Sequence, residues 1–222
     1  MARAKPFSSV TAPPLASYDF IDILAGTGYI TFHGGSCAGQ AANYVLSSQA
    51  FPADDSTNAS VAGLFTRSIA LTGTDVKVID VDFDAVINLP INLKGLLIAW
   101  AGMTCTASDA SSKTFYPVIR LRKWAGTTET EIANATLIAV PSITTGTDFH
   151  VTRNVSMNIA NTVHFKKGET LRLTVEVWGS KSGGTVTLEL YHDPLGRADA
   201  PSAAWPNFIG QVAAQIPFKL NI

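Results

Sequence analysis

From Tyr18 onward, apolar and polar residues alternate with a period of two, in short runs broken by turn residues. In TLRLTVEVW (170–178), Leu171, Leu173, Val175 and Val177 share one parity, and Arg172, Thr174 and Glu176 share the other. Successive side chains of a strand point to opposite faces, so the first set is expected against a core and the second in water. TVTLELYH (185–192) repeats this, with Val186, Leu188 and Leu190 set against Thr185, Thr187 and Glu189. VKVIDVDF (76–83) sets Ile79, Val81 and Phe83 against Asp80 and Asp82, with Asp84 one residue beyond. One packed face and one wet face is the pattern of antiparallel sheets.

Further strands are predicted at YDFIDI (18–23), GYITFHG (28–34), NYVLSS (43–48), LFTRSIAL (64–71), KGLLIAWAGMT (94–104) and TFYPVIRLRKW (114–124). The series continues with TEIANATLIAV (130–140), DFHVTRNVSMNI (148–159) and IPFKLNI (216–222). Helical signals are scarce: the Ala-rich stretch 202–214 is interrupted by Pro206 and Gly210, which leaves a turn or two at most. Turn signals at LTGTD (71–75) and SGG (182–184) punctuate the strands as they do in sandwiches and barrels. The expected fold is therefore all-β: a jelly-roll-like antiparallel β-sandwich with an extended N-terminal arm. Residues 1–17, with Pro6, Pro13 and Pro14, form that arm, and residues 18–222 form a single domain. The arm reads either as a frayed terminus or as a segment lying on a neighbouring subunit. The polar loop 48–60 is the best candidate for a partner-facing loop.

Composition narrows the function classes. Charged residues make up 15% of the 222, against about 25% in ordinary domains. The chain is too apolar for disorder, and much of its surface is expected to be coated with Ser, Thr and Asn or buried against other subunits. A net charge of −1 supplies no basic field for nucleic acid. Arg3 and Lys5 make the N-terminal arm locally basic, but two charges are far fewer than tight phosphate binding needs. No apolar run reaches the roughly 18 residues of a membrane helix. Two of the three prolines in Met1–Ala16 lie where a secretory signal would be apolar, so synthesis in a cytosol without a leader is expected. Without that route, the formal glycosylation triplets at Asn58, Asn134 and Asn154 carry no weight. Cys37 and Cys105 are open to pairing or to service as small core residues.

Each candidate for chemistry has a plain alternative. Asp80, Asp82 and Asp84 resemble alternate metal ligands, but no EF-hand glycine and no Glu at the twelfth position accompany them. A solvated acidic strand face is the simpler reading, and ion pairing between subunits is a third. His33, His150, His164 and His192 lack the helical spacing of a zinc hydrolase. Gly34-Gly35-Ser36-Cys37 lacks the second framing glycine of a nucleophile elbow. No phosphate-cradling glycine motif occurs. Trp100, Trp124, Trp178 and Trp205, with Tyr116 and Tyr191, suit a sugar-stacking platform, and equally a core or a subunit interface. Neither an enzyme nor a cofactor is expected.

FKKGETLRLTVEVW (165–178), a Gly-rich connection and TVTLELYHDPLGR (185–197) together resemble the closing hairpin of jelly-roll structural proteins of tailed viruses. YDFIDILAGTGYITFHGG (18–35) is similar to the opening of capsid-associated proteins of bacterial and archaeal viruses. The resemblance implies a virion structural protein, a capsid or capsid-decorating subunit of the head surface, made in the host cytoplasm. Its partners would be other capsid proteins and its own copies, with a threefold as the expected symmetry. Expected contacts are Arg3, Lys5 and Phe7 of the arm and Phe51, Asp54 and Asp55 of the 48–60 loop. A carbohydrate- or receptor-binding sandwich is the alternative, with exposed aromatics beside Asp or Asn as its mark.

Overall fold

The structure, a computed structural model, describes residues 16–17, 27–36, 44–49, 64–70, 76–107, 113–136, 140–143, 149–181, 185–191 and 212–219. All the secondary structure among them is β. In chain order the strands are β1 (Ala16–Ser17), β2 (Thr27–Ser36), β3 (Tyr44–Ser47), β4 (Leu64–Ala70), β5 (Val76–Val86), β6 (Ile91–Ala107) and β7 (Lys113–Trp124). They continue with β8 (Glu129–Thr136), β9 (Val140–Ile143), β10 (Phe149–Phe165), β11 (Thr170–Lys181), β12 (Thr185–Tyr191) and β13 (Ala213–Lys219).

The strands run in the order β4-β12-β6-β13-β2-β3-β5-β11-β7-β8, with β1 beside β2, β10 beside β6 and β9 beside β7. All pairings are antiparallel except one, a single parallel contact of Val45 in β3 with Asp84 in β5. That narrow seam is where the sheet turns over on itself. One layer holds β4, β12, β6, β10, β13 and β2, and the other holds β5, β11, β7, β8 and β9. Their inward rows meet in one core. Val81 and Phe83 of β5, Ile119 and Leu121 of β7, and the four odd-numbered apolar residues of β11 pack with Leu97, Ala99 and Met103 of β6. Leu188 and Leu190 of β12 and Ile216 of β13 belong to the same cluster. The chain is thus an all-β sandwich of jelly-roll type, its neighbours drawn from distant sequence.

Face assignment by alternation agrees with burial on β5, β11 and β12, but strand pairing does not follow chain order. β11 lies between β5 and β7, whereas β12 lies between β4 and β6. The expected closing hairpin is therefore a crossing from one layer to the other. Both strands offer an apolar row to the same core, and alternation sets a strand's face without naming its neighbour. β4 likewise pairs with β12 and not with β5 among the described residues. Ala213 and Ala214, expected in a helical turn, begin β13. Ala16 and Ser17, at the end of the expected arm, pair with Ile30 and Tyr29 of β2.

β10 runs past the expected end at Ile159 by way of a bulge. Its register against β6 passes from Ile159↔Gly95 to Val163↔Leu93, so three residues oppose Lys94 alone. Gly95 beside it has φ 122°, a conformation that side chains disfavour.

Candidate functional site

The two outer faces of the sandwich differ in chemistry. On the β5–β11–β7–β8 face, cross-strand register brings Asp84, Arg172 and Arg122 into one row and Asp80, Glu176 and Val118 into another. Arg172 clamps Asp84 with two hydrogen bonds, Nε to Oδ1 at 2.7 Å and Nη2 to Oδ2 at 2.8 Å. Its Nη1 reaches Glu129 at 3.0 Å and Asp82 at 3.2 Å. Asp82 also accepts from Thr174 Oγ1 at 2.6 Å. Trp124 lies 5.3 Å from the Arg172 guanidinium, in cation–π range.

Glu176 is the hub. Its side chain is only 2% exposed. It accepts from Trp178 Nε1 at 2.8 Å, from Arg120 Nη2 at 3.3 Å, and from Arg122 Nη2 and Lys77 Nζ at 3.4 Å each. Arg120 Nε approaches Oε1 to 3.1 Å without the alignment of a hydrogen bond, an ionic contact only. Burial pushes the Glu176 carboxyl up, but hydrogen bonds from Trp178 and Arg120 and the charges of Arg120 and Lys77 outweigh it and hold it below the usual carboxylate range. Lys77 is held above its ordinary value by its bond to Asp80, against the opposing effect of desolvation. The hydrogen bond to Asp84, likewise opposed by desolvation, raises Arg172 further.

Two sequence expectations are corrected here. The outward row of β11 is not wet: Thr174 is 0% and Glu176 2% exposed, because the long arginines lie across them. The acidic triplet is not simply solvated either. Asp80 pairs with Lys77 at 2.8 Å, Asp82 with Arg172 and Thr174, and Asp84 with Arg172. Calcium needs six to eight oxygens free to converge, and these carboxylates alternate with cations instead. Among the described residues no three His, Cys, Asp or Glu side chains are placed to hold a metal. Alternation could not reveal the triplet's partners, because Arg172 is 88 residues from Asp84.

On the β10–β6–β13–β2 face the central strand is apolar on both sides. Leu97, Ala99 and Ala101 point into the core, so Leu96, Ile98 and Trp100 point out. Leu96 is 46% exposed, and Ile98 and Trp100 are half-buried. On β10, Asn154, Ser156 and Asn158 lie opposite Trp100, Ile98 and Leu96, all three exposed. On the other side Gln215 of β13 lies opposite Ile98 and, beyond it, Thr31 of β2. The charges that bound this stretch are Lys94 at the bulge and Glu189, which pairs with Thr104 at the far end. Between them His33 of β2 shares the row of Trp100, with the buried Ala213 of β13 between the two.

A third feature is a cleft of about 670 Å³ where β3 and β5 diverge, lined by Ile30, Phe32, Leu46 and Ile87 and rimmed by Val86 and Leu89. Val86 and Leu89 are 61% and 74% exposed. The adjoining turn is tied on by Ile87 N to Glu169 O at 2.9 Å and Gly168 N to Ile87 O at 2.8 Å, which sets Lys166 and Lys167 nearby.

Among the described residues the other sequence candidates do not converge. His164 bonds Asn92 at 2.8 Å, His33 sits half-buried opposite Ala213, and His150 of β10 pairs with Thr104 of β6. His192, Cys37, Trp205 and the expected contacts Arg3, Lys5, Phe7, Phe51, Asp54 and Asp55 lie outside the described residues. Trp178 does find an aromatic neighbour, Tyr116, directly across on β7.

Fold and faces together define an all-β sandwich domain with a charge-paired network on one outer sheet face and a partly exposed apolar row on the other. No protein-family model matches the chain, and no curated protein does. Among solved structures it is similar to an aminopeptidase from a marine sediment archaeon, Thaumarchaeota archaeon, with 9% identity and a TM-score of 0.52. It is also similar to a CocE/NonD family hydrolase from Staphylococcus aureus, with 11% identity and a TM-score of 0.50. Each match covers 87% of this chain and 37% of the other, so the chain spans well under half the length of either enzyme. At such identity the likeness establishes the fold alone. VP2 of an infectious bursal disease virus subviral particle also matches, at 12% identity over 88% of this chain and 56% of that one. Its TM-score of 0.31 is too low to carry an argument.

Proposed function

We propose that this protein is a virion structural subunit, a capsid or capsid-decorating protein of the head surface, that works by assembly with other capsid proteins and its own copies. It performs no catalytic step and needs no cofactor in this reading. The observation that carries the reading is β6: LLIAWAG is apolar on both parities, the pattern of a strand covered on both faces, yet Leu96 on its outer face is 46% exposed. Interfaces are enriched in tryptophan, and Trp100 lies in this outer row of β6. The opposite face supports the same reading. Its six carboxylates and four cations bond one another, which stiffens the sheet and leaves no positive field for nucleic acid.

Light scattering on the purified protein, with negative-stain microscopy of the same peak, tests the proposal. A closed assembly of defined mass, a trimer by the expected symmetry, supports it. A monomer at every concentration that also fails to bind any viral shell ends it. A second reading, a carbohydrate-binding module, is favoured by Trp100 with Asn154 directly across from it. Glycan-array binding that is abolished by Trp100→Ala would replace the first reading with this one.

A further inference from the structure

The cleft between β3 and β5 sets an apolar surface beside unpaired cations. Val86 and Leu89 stand on its rim, 61% and 74% exposed. Behind the rim, Ile30, Phe32, Leu46 and Ile87 form apolar walls, and every residue lining the cleft is among those described. Single exposed apolar residues are ordinary on a protein surface. Two of them on the rim of an apolar hollow of about 670 Å³ mark a place where a partner's side chains can be buried. The second feature is charge. Lys166 and Lys167 are exposed at the turn between β10 and β11, and neither forms an ion pair among the described residues. The acids beside them are already engaged. Asp84, on the cleft wall, is clamped by Arg172, and Glu169 is held by Lys123 at 2.6 Å. The described surroundings of the cleft therefore carry two positive charges in surplus.

The turn that carries these lysines is fixed to the cleft. Ile87 N donates to Glu169 O at 2.9 Å, and Gly168 N donates to Ile87 O at 2.8 Å. Within the turn, Glu169 N donates to Lys166 O at 3.2 Å, and the Glu169 carboxylate accepts from Lys166 N at 2.7 Å. Gly168 takes φ 88°, which lets the chain reverse there. Backbone held in this way has little freedom left to lose on binding. We propose that the cleft docks a short acidic segment of another protein. Its apolar side chains enter between Val86 and Leu89, and its carboxylates meet Lys166 and Lys167. The concave walls favour protruding side chains over the flat surface of a bilayer, and the lysine pair selects acids over bases. Such docking is independent of the assembly reading, since a monomer presents the cleft as well as a subunit does.

Selection of a displayed random-peptide library on the immobilised full chain tests the docking site. The enriched peptides are expected to combine leucine or phenylalanine with aspartate or glutamate. As labelled synthetic peptides they should bind Leu89→Glu, and the double variant Lys166→Glu/Lys167→Glu, at least about tenfold more weakly than the unaltered chain. The charge-reversed double variant should select basic peptides instead. Leu96→Ser, at an exposed residue outside the cleft, should change nothing. Circular dichroism on each variant separates lost binding from lost folding. Enrichment of peptides without acids, or of peptides whose binding ignores Leu89 and both lysines, overturns the proposal. An empty selection overturns it too, and Leu89-dependent co-sedimentation with phosphatidylserine vesicles would then assign the site to an anionic membrane. Closed assemblies in light scattering beside an empty selection remove the docking site and leave the assembly reading standing.

Discussion

Replacing Glu176 by Gln removes one charge from the middle of the paired face and almost no volume. The side chain is 2% exposed and receives Trp178, Arg120, Arg122 and Lys77. Gln retains an oxygen for the Trp178 indole but leaves three cations short of a partner. Removing one member of a fully buried ion pair costs about 3–5 kcal/mol. Here the cations are 18–37% exposed and retain Glu129, Glu131 and Asp80, so water and the remaining acids recover part of that. A loss of about 2 kcal/mol is expected, which for a chain of this length lowers Tm by about 4–8 °C. Glu131→Gln breaks a pair at 2.8 Å whose carboxylate is 38% exposed, and should cost below about 1 kcal/mol. Urea and thermal unfolding of both variants at neutral pH, in low and high salt, gives the comparison. The Glu176 deficit should survive salt and the Glu131 deficit should shrink. If Glu176→Gln loses under about 0.5 kcal/mol, or no more than Glu131→Gln, the hub has no special weight and the reasoning fails.

Acid should expose the same network: Glu131 and Glu176 are held below their ordinary values, so their contribution is present above the unfolded carboxylate value of about 4.3 and is lost as pH falls through the depressed folded values. Tm should stay flat from pH 7 to about 5 and fall below about 4, less steeply in Glu176→Gln; an equal slope in both proteins removes Glu176 from the explanation. Gly34→Ala sets a Cβ 2.8 Å from the fully buried Phe83 ring and 3.0 Å from Val212, an overpacking expected to cost about 1–3 kcal/mol in denaturant titration. Leu97→Ala should cost about 2–5 kcal/mol, and Leu96→Ala, one residue away on the outer face, within about 0.5 kcal/mol for the unassociated chain. Equal losses at the two positions would mean that β6 is turned differently.

Much of the architecture was legible in the chain. Period-two alternation in 76–83, 170–178 and 185–192 named the inward residues correctly, because a strand's facing depends only on its own residues. What alternation could not supply was adjacency. β11 and β12 are separated by three residues and lie in different layers, while Arg172 and Asp84 lie side by side across 88 residues. Neighbour choice follows from how two layers share one core, a property of the whole chain. The paired face was missed for the same reason. Arg172, Thr174 and Glu176 read as solvent-facing until Arg120 and Arg122 arrive from β7 to cover them. The sequence by itself determined which side of each strand is apolar, since that is written residue by residue. Only the tertiary structure decided which strands meet, which charges are neutralised and which apolar residues stay exposed, because those depend on contacts between residues far apart along the chain.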